Sequence, residues 1–247
     1  AAPMLVLAYG AYGAPLAAEH RPTLQPLIER GWVVALAHVR GGGDLGPAWH
    51  RAGALEHQGR AAADLLDTVR GLHGHGVSAA GATSLMGESA GALAVAGALN
   101  RAPHLFAAAV LRVPFLDPAG AMLDASLPLT VEERDEWGDP LVSAAAWAHL
   151  RHASPYEGLA AAPYPPMLLS CAENDPRVPF TQALRYVARL RHRSRHAARG
   201  GTAVAAPQLV HHLDVGGHQG EGGRFRRLEH AATELSFLLH AHGSMAY

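Results

Sequence analysis

A chain of 247 residues, 49% hydrophobic and 17% charged, can bury one large core, which predicts a single domain. Its 20 basic side chains, all of them arginine, stand against 21 acidic ones, so no net field draws it to nucleic acid or to an anionic membrane. The lone Cys171 excludes an internal disulfide framework, and no run approaches the roughly eighteen apolar residues of a membrane span.

The opening AAPMLVLAYG is short and lacks a basic lead-in, so it does not read as a secretory signal, and a cytoplasmic location is the expectation. With no initiator methionine and a strand-like run at once, the chain reads as a domain cut from something longer. Residues 4–9 predict the first strand, followed by a helix near 23–30 and a strand over 32–38. A helix over 60–72, a strand over 82–86, a helix over 89–100 and a strand over 107–113 come next. Residues 114–155, rich in proline and acid, break the rhythm and read as an insertion over one end of the sheet. Strands over 167–172 and 208–215, with helices over 181–193 and 224–240, complete the pattern. Continuous apolar strands, as opposed to alternating ones, are those covered by helices on both faces. The pattern predicts an α/β domain on a mainly parallel sheet, with its chemistry beyond the carboxyl ends of the strands.

One such end carries Gly87-Glu88-Ser89-Ala90-Gly91, which fits G-x-S-x-G between a strand and a helix, the setting of a nucleophile elbow. In so tight a turn a β-carbon two residues before or after the serine would strike backbone, hence glycine at both places. The small residues that follow let the helix pack close under the sheet. The plain alternative is a glycine-rich turn that happens to hold a serine. A serine nucleophile needs a base, and the base needs an acid to fix its tautomer. In this architecture the order along the chain is serine, acid, histidine. Asp175 follows the strand over 167–172, with Glu173 as the competing carboxylate, and His218 lies in a glycine-rich loop after the last strand. His211, His212 and Asp214 lie within or at the end of that strand and read as structural.

The remaining polar motifs carry weaker signals. His73 and His75, and HRSRH over 192–196, lack a ligand set of sensible geometry, so neither a metal nor another cofactor is expected. The arginine-rich run over 185–199 lacks the aromatic interleaving of a nucleic-acid site and reads as a solvated helix end. RGGGDLG over 40–46 is no phosphate loop, since the lysine and serine or threonine of that motif are missing.

Several longer stretches are familiar in register: YGAYG, GWVVALAHVRGGGDLG, MGESAGAL, MLDASLPLTVEERDEWGDP, SPYEGL, YPPMLL and GGHQGEGGRF. Through them the chain resembles the catalytic domain of the prolyl oligopeptidase family of serine peptidases, on its oligopeptidase B branch. The resemblance implies the α/β-hydrolase fold, Ser89 as nucleophile, His218 as base and then acid, and Asp175 as the orienting carboxylate. It adds an oxyanion site made by the backbone N–H of Ala90 and the hydroxyl of Tyr9, with Tyr12 the near alternative. It makes 40–46 a structural loop beside the site. It also implies cleavage of short peptides after arginine or lysine, with Glu133 and Asp135 in the acidic pocket and Arg177 on a carbonyl of the bound peptide. Because a carboxylate can pair in a bidentate way with guanidinium, arginine is the expected preference. A second acidic subsite is reduced to Glu19. The family's N-terminal β-propeller, which admits only short peptides, would belong to a longer parent chain. A carboxylesterase on the same triad and a truncated non-catalytic domain are the rival expectations.

Overall fold

Strand formation follows the apolar runs closely. In the computed structural model, which describes residues 1–198, 206–213, 216–218 and 222–243 (side chains of 129 and 196–198 excepted), six strands form one sheet. They are β1 (Met4–Ala8), β2 (Val33–Ala37), β3 (Thr83–Glu88), β4 (Ala108–Arg112), β5 (Met167–Ala172) and β6 (Gln208–Leu213). Their order is β2-β1-β3-β4-β5-β6, and every pairing is parallel. β1 and β5 are buried along their whole length, as their unbroken apolar sequences require.

One face of the sheet carries the larger core, where Leu65 and Val69 of helix Arg60–Gly74, Val95 and Leu99 of helix Gly91–Arg101, and Tyr186 and Leu190 of helix Thr181–Ala198 pack together. The opposite face is covered by Leu235 and Leu238 of helix Arg224–Ala241 together with Leu24, Leu27 and Trp32. Residues 231, 234, 235 and 238 form the buried stripe of that last helix, the spacing of an amphipathic face.

The insertion does lie over the carboxyl rim. It folds into short helices, Pro118–Ala121, Pro128–Glu132 and Arg134–Trp137, and a longer one, Ala144–Ala153. Phe115, Met122, Trp137 and Leu150 from this region pack with Ala11, Ala90 and Val178 into a third apolar cluster against the rim. The Ala144–Ala153 helix was not expected from sequence, although Ser143 caps it by accepting the N–H of Ala146 at 3.2 Å.

The chain leaves β1 toward β2 on one side and returns to β3 on the other, so the sheet reverses direction between β1 and β3. Ala8 stands level with Gly87, and Glu88 with Arg112, so the loops after β1, β3 and β4 emerge side by side at this switch point. The expected strand end at 215 and Asp214 lie outside the described residues.

Candidate active site

The elbow at Ser89 is held by backbone alone. β3 runs two residues further than its apolar stretch, and the helix begins at Gly91, not at Ser89 as the sequence suggests. The turn between them puts Ser89 at φ 51°, a left-handed conformation that costs a side-chain-bearing residue on the order of 1–3 kcal/mol. The Ser89 N–H donates to Arg112 O at 2.9 Å, and Ser89 O accepts the N–H groups of Ala92 and Phe115, both at 3.1 Å. A Cβ on Gly87 would stand 2.7 Å from Gly91 O, and one on Gly91 would stand 2.7 Å from Ala8 O. Both glycines are therefore required by backbone contact, which leaves the hydroxyl as the group that projects.

Ser89 Oγ lies 2.8 Å from Nε2 of His218, and Nδ1 of His218 lies 2.9 Å from Oδ2 of Asp175. The three residues follow the ends of β3, β5 and β6, so three strands of one sheet bring them together. The side chains of His218 and Asp175 are 8% and 1% exposed. The other carboxylate oxygen, Oδ1, accepts the N–H groups of Arg177 at 2.8 Å and Val178 at 3.0 Å. Burial pushes the Asp175 carboxyl up, but the hydrogen bonds from His218, Val178 and Arg177 outweigh it and hold the group below its ordinary value. With Asp175 ionised, Nδ1 of His218 carries the proton and donates it, leaving Nε2 to accept from the Ser89 hydroxyl. Glu173, the rival carboxylate, is exposed.

Tyr9 emerges from β1 with its backbone and ring against Gly91, and it lines a cavity of about 310 Å³ shared with Ser89, His218, Glu88, Arg21 and Arg177. Burial raises the Tyr9 phenol and the Arg177 charge draws it part of the way back, so the hydroxyl keeps its proton at neutral pH. Tyr12 is committed elsewhere. Its hydroxyl donates to Glu133 Oε2 at 2.6 Å and accepts from Trp137 Nε1 at 3.1 Å, while its N–H donates to Glu136 Oε1 at 2.8 Å. The N–H of Ala90 belongs to the first turn of helix Gly91–Arg101, where backbone donors lack intrahelical partners.

The acidic segment divides its carboxylates by role. Glu133 reaches a cavity of about 30 Å³ beside Ser89, lined also by Tyr12, Phe115, Val178 and Arg177. Its Oε2 receives both Tyr12 Oη at 2.6 Å and Trp137 Nε1 at 2.9 Å, and its Oε1 faces Arg177 Nη2 at 3.7 Å. With two donors on Oε2, Oε1 is the Glu133 oxygen that faces a further cation, here Arg177. Asp135 is exposed and, among the described residues, lines neither cavity. On the single turn Arg134–Trp137 adjacent residues face apart, and it is Glu136 that turns inward, accepting from Tyr12 N–H and meeting His50 Nε2 at 2.7 Å. Glu19 is exposed and lies 3.9 Å from Arg21.

The glycine run over 40–46 braces the Tyr9 loop: Gly13 N–H donates to Gly41 O at 3.0 Å, and a Cβ on Gly43 would meet Gly13 O at 2.0 Å. Sequence reasoning missed two further supports of the rim. Gln182 Oε1 accepts the N–H groups of Leu116 and Asp117 at 3.0 and 3.2 Å. Arg112 donates through Nε to Glu234 Oε1 at 2.7 Å and also meets Glu234 Oε2, with Glu88 3.7 Å away. A glutamate on the apolar stripe of the last helix was the available signal for that buried pair. His73 meets Thr83 Oγ1 and His75 meets Gly71 O, and among the described residues no group of three His, Cys, Asp or Glu is arranged to hold a metal ion. Among the described residues, no helix is long and apolar enough to cross a membrane.

Residues 19–244 match the Prolyl oligopeptidase family. The prolyl endopeptidase-like protein of Xenopus laevis is 37% identical over 240 residues, which cover 96% of this chain and 34% of the relative. Protease 2 of Moraxella lacunata is 34% identical over 239 residues, 96% of this chain and 33% of its own length. Oligopeptidase B from Trypanosoma brucei, solved with covalently bound antipain, superposes with a TM-score of 0.92 at 29% identity, covering 98% of this chain and 33% of that one. The chain thus spans about a third of the length of these relatives, and what it spans has the α/β-hydrolase fold. The chain belongs to the prolyl oligopeptidase family.

Proposed function

We propose that this chain is the catalytic part of a serine peptidase that cleaves short peptides after basic residues, working in the cytoplasm. The observation that carries the reading is the unbroken chain of hydrogen bonds from Ser89 Oγ through His218 to Asp175. Ser89 Oγ attacks the scissile carbonyl carbon as His218 Nε2 takes its proton, and Asp175 stabilises the imidazolium that forms. The tetrahedral oxyanion is held by the Ala90 N–H and the Tyr9 hydroxyl, each such donor contributing about 3–4 kcal/mol. Collapse breaks the C–N bond, and His218 gives the proton to the departing amine, leaving an ester on Ser89. Water, deprotonated by the same imidazole, then hydrolyses that ester and restores the hydroxyl. Glu133 receives the basic side chain at the cleaved position, and Arg177 donates to a carbonyl of the peptide backbone. The covalent antipain of the Trypanosoma brucei relative supports a covalent route here. In a longer parent chain, a preceding propeller domain would restrict entry to short peptides.

The test is hydrolysis of a peptide ending in an arginine p-nitroanilide, with Ser89→Ala as the partner variant. Wild type releases the chromophore and Ser89→Ala loses about a millionfold in kcat. Equal rates refute the reading. Fast turnover of short acyl esters with no gain from a basic side chain assigns the triad to an esterase instead.

A further inference from the structure

Resting on that reading, we infer that Arg177 is an intramolecular competitor for the acidic pocket, so that a basic substrate must exchange one cation for another at Glu133. The carboxylate has one oxygen filled by Tyr12 and Trp137, and its remaining oxygen faces Arg177. The Glu133 side chain is only 14% exposed, so its charge is held in place by three neighbours of this chain before any substrate arrives. The cavity between Glu133 and Ser89 is narrow, about 30 Å³, and Arg177 forms part of its wall. A basic side chain that reaches Oε1 must take the place that Arg177 now faces. Arg177 is 44% exposed and lies 3.7 Å from Glu133, beyond hydrogen-bond distance, so it is held only loosely in that wall.

The displaced guanidinium also has somewhere to go. Arg177 lines the 310 Å³ cavity as well, where Glu88 offers a second carboxylate and the Ser89 hydroxyl is close at hand. Replacing one guanidinium by another changes the charge balance at Glu133 little, so the resident arginine subtracts most of the advantage that charge would give a basic substrate. Arg177 is thereby a specificity-determining residue: it holds the preference for basic over neutral side chains to a modest level.

The experiment compares two peptide p-nitroanilides that differ only at the cleaved position, arginine in one and citrulline, its neutral counterpart of near-identical shape, in the other. The readout is the ratio of their kcat/KM values in wild type, Arg177→Gln, Glu133→Gln and the double variant. Any contact of Arg177 with the peptide backbone affects both substrates alike and cancels in the ratio. The arginine/citrulline ratio is expected to rise about tenfold in Arg177→Gln, a change of about 1.4 kcal/mol. It falls toward one in Glu133→Gln, and in that background Arg177→Gln no longer moves it. A ratio that stays put or falls in Arg177→Gln overturns the inference, as does an increase that survives Glu133→Gln. Wild type that cleaves neither peptide sinks the peptidase reading and this one with it; cleavage with an unmoved ratio sinks this one alone.

Discussion

Replacing Asp175 by asparagine tests the orienting role of that carboxylate with almost no change of shape. Oδ1 accepts two backbone N–H groups, from Arg177 and Val178, at 2.8 and 3.0 Å. The amide oxygen of Asp175→Asn must occupy that position, because a turn of the amide would set its NH₂ against two donors and forfeit both bonds. At about 1 kcal/mol per bond, the turned form is disfavoured by roughly 2 kcal/mol, or about thirtyfold. The amide NH₂ then faces His218 Nδ1, where a carboxylate oxygen now lies at 2.9 Å. Nδ1 becomes the acceptor, the proton moves to Nε2, and the nitrogen beside Ser89 can no longer take a proton. A loss of about 10⁴-fold in kcat follows, the magnitude known for a wrong tautomer in other serine hydrolases. Stopped-flow release of p-nitroaniline measures it, and circular dichroism in urea checks the fold. The same variant carries a pH signature. Burial raises the Asp175 carboxyl and three hydrogen bonds more than reverse this, so the folded value lies below the unfolded one. Its contribution is therefore complete above the unfolded value of about 3.9 and is lost as the pH falls through the lower folded value. The lead of wild type over Asp175→Asn in urea midpoint is constant above about pH 5 and shrinks below about pH 4. A variant within tenfold of wild-type kcat would refute the tautomer argument.

Two other outcomes follow from the rim. Glu234→Ala removes the main partner of the Arg112 guanidinium, whose side chain is 29% exposed and keeps Glu88 3.7 Å away, and costs about 1.5–3 kcal/mol in urea unfolding. The paired change Arg112→Met with Glu234→Leu recovers most of it; a single variant costing under about 1 kcal/mol would show that the pair is not holding β4 to the last helix. Because Glu133 has one oxygen to offer, lysine and arginine at the cleaved position are expected to differ by less than about tenfold in kcat/KM, whereas a hundredfold preference for arginine would mean that Oε2 is released on binding.

Much of the sheet was legible because the inner strands β1, β4 and β5 are largely apolar runs buried on both sides, whereas β6, with two histidines, is largely exposed or half-buried. Ser89, Asp175 and His218 were legible for a different reason: parallel strands deliver their loops to one rim, so position after a strand stands in for position in space. Which acid of the insertion faces the site was not. Asp135 and Glu136 are neighbours in sequence, and their facing is decided by how a single helical turn lodges against Tyr12 and His50. The sharing of Glu133 between Tyr12, Trp137 and Arg177 leaves no local trace, and the glutamate on the apolar stripe of the last helix marks a buried charge without naming Arg112, 122 residues away, as its partner. The Ala144–Ala153 helix had a signal, a serine before a run of good helix formers, that the surrounding prolines obscured.

His218 lies just past the end of β6, and among the described residues β6 is an outer strand of the sheet with β5 as its one neighbour. The nucleophile and Tyr9 hang from β3 and β1, which are flanked on both sides. Fraying therefore has a direction in this molecule. Loosening that begins at that margin is expected to carry the imidazole away from the Ser89 hydroxyl while β1 and β3 keep their partners, so the Ser89–His218 hydrogen bond should be lost at lower urea than the core.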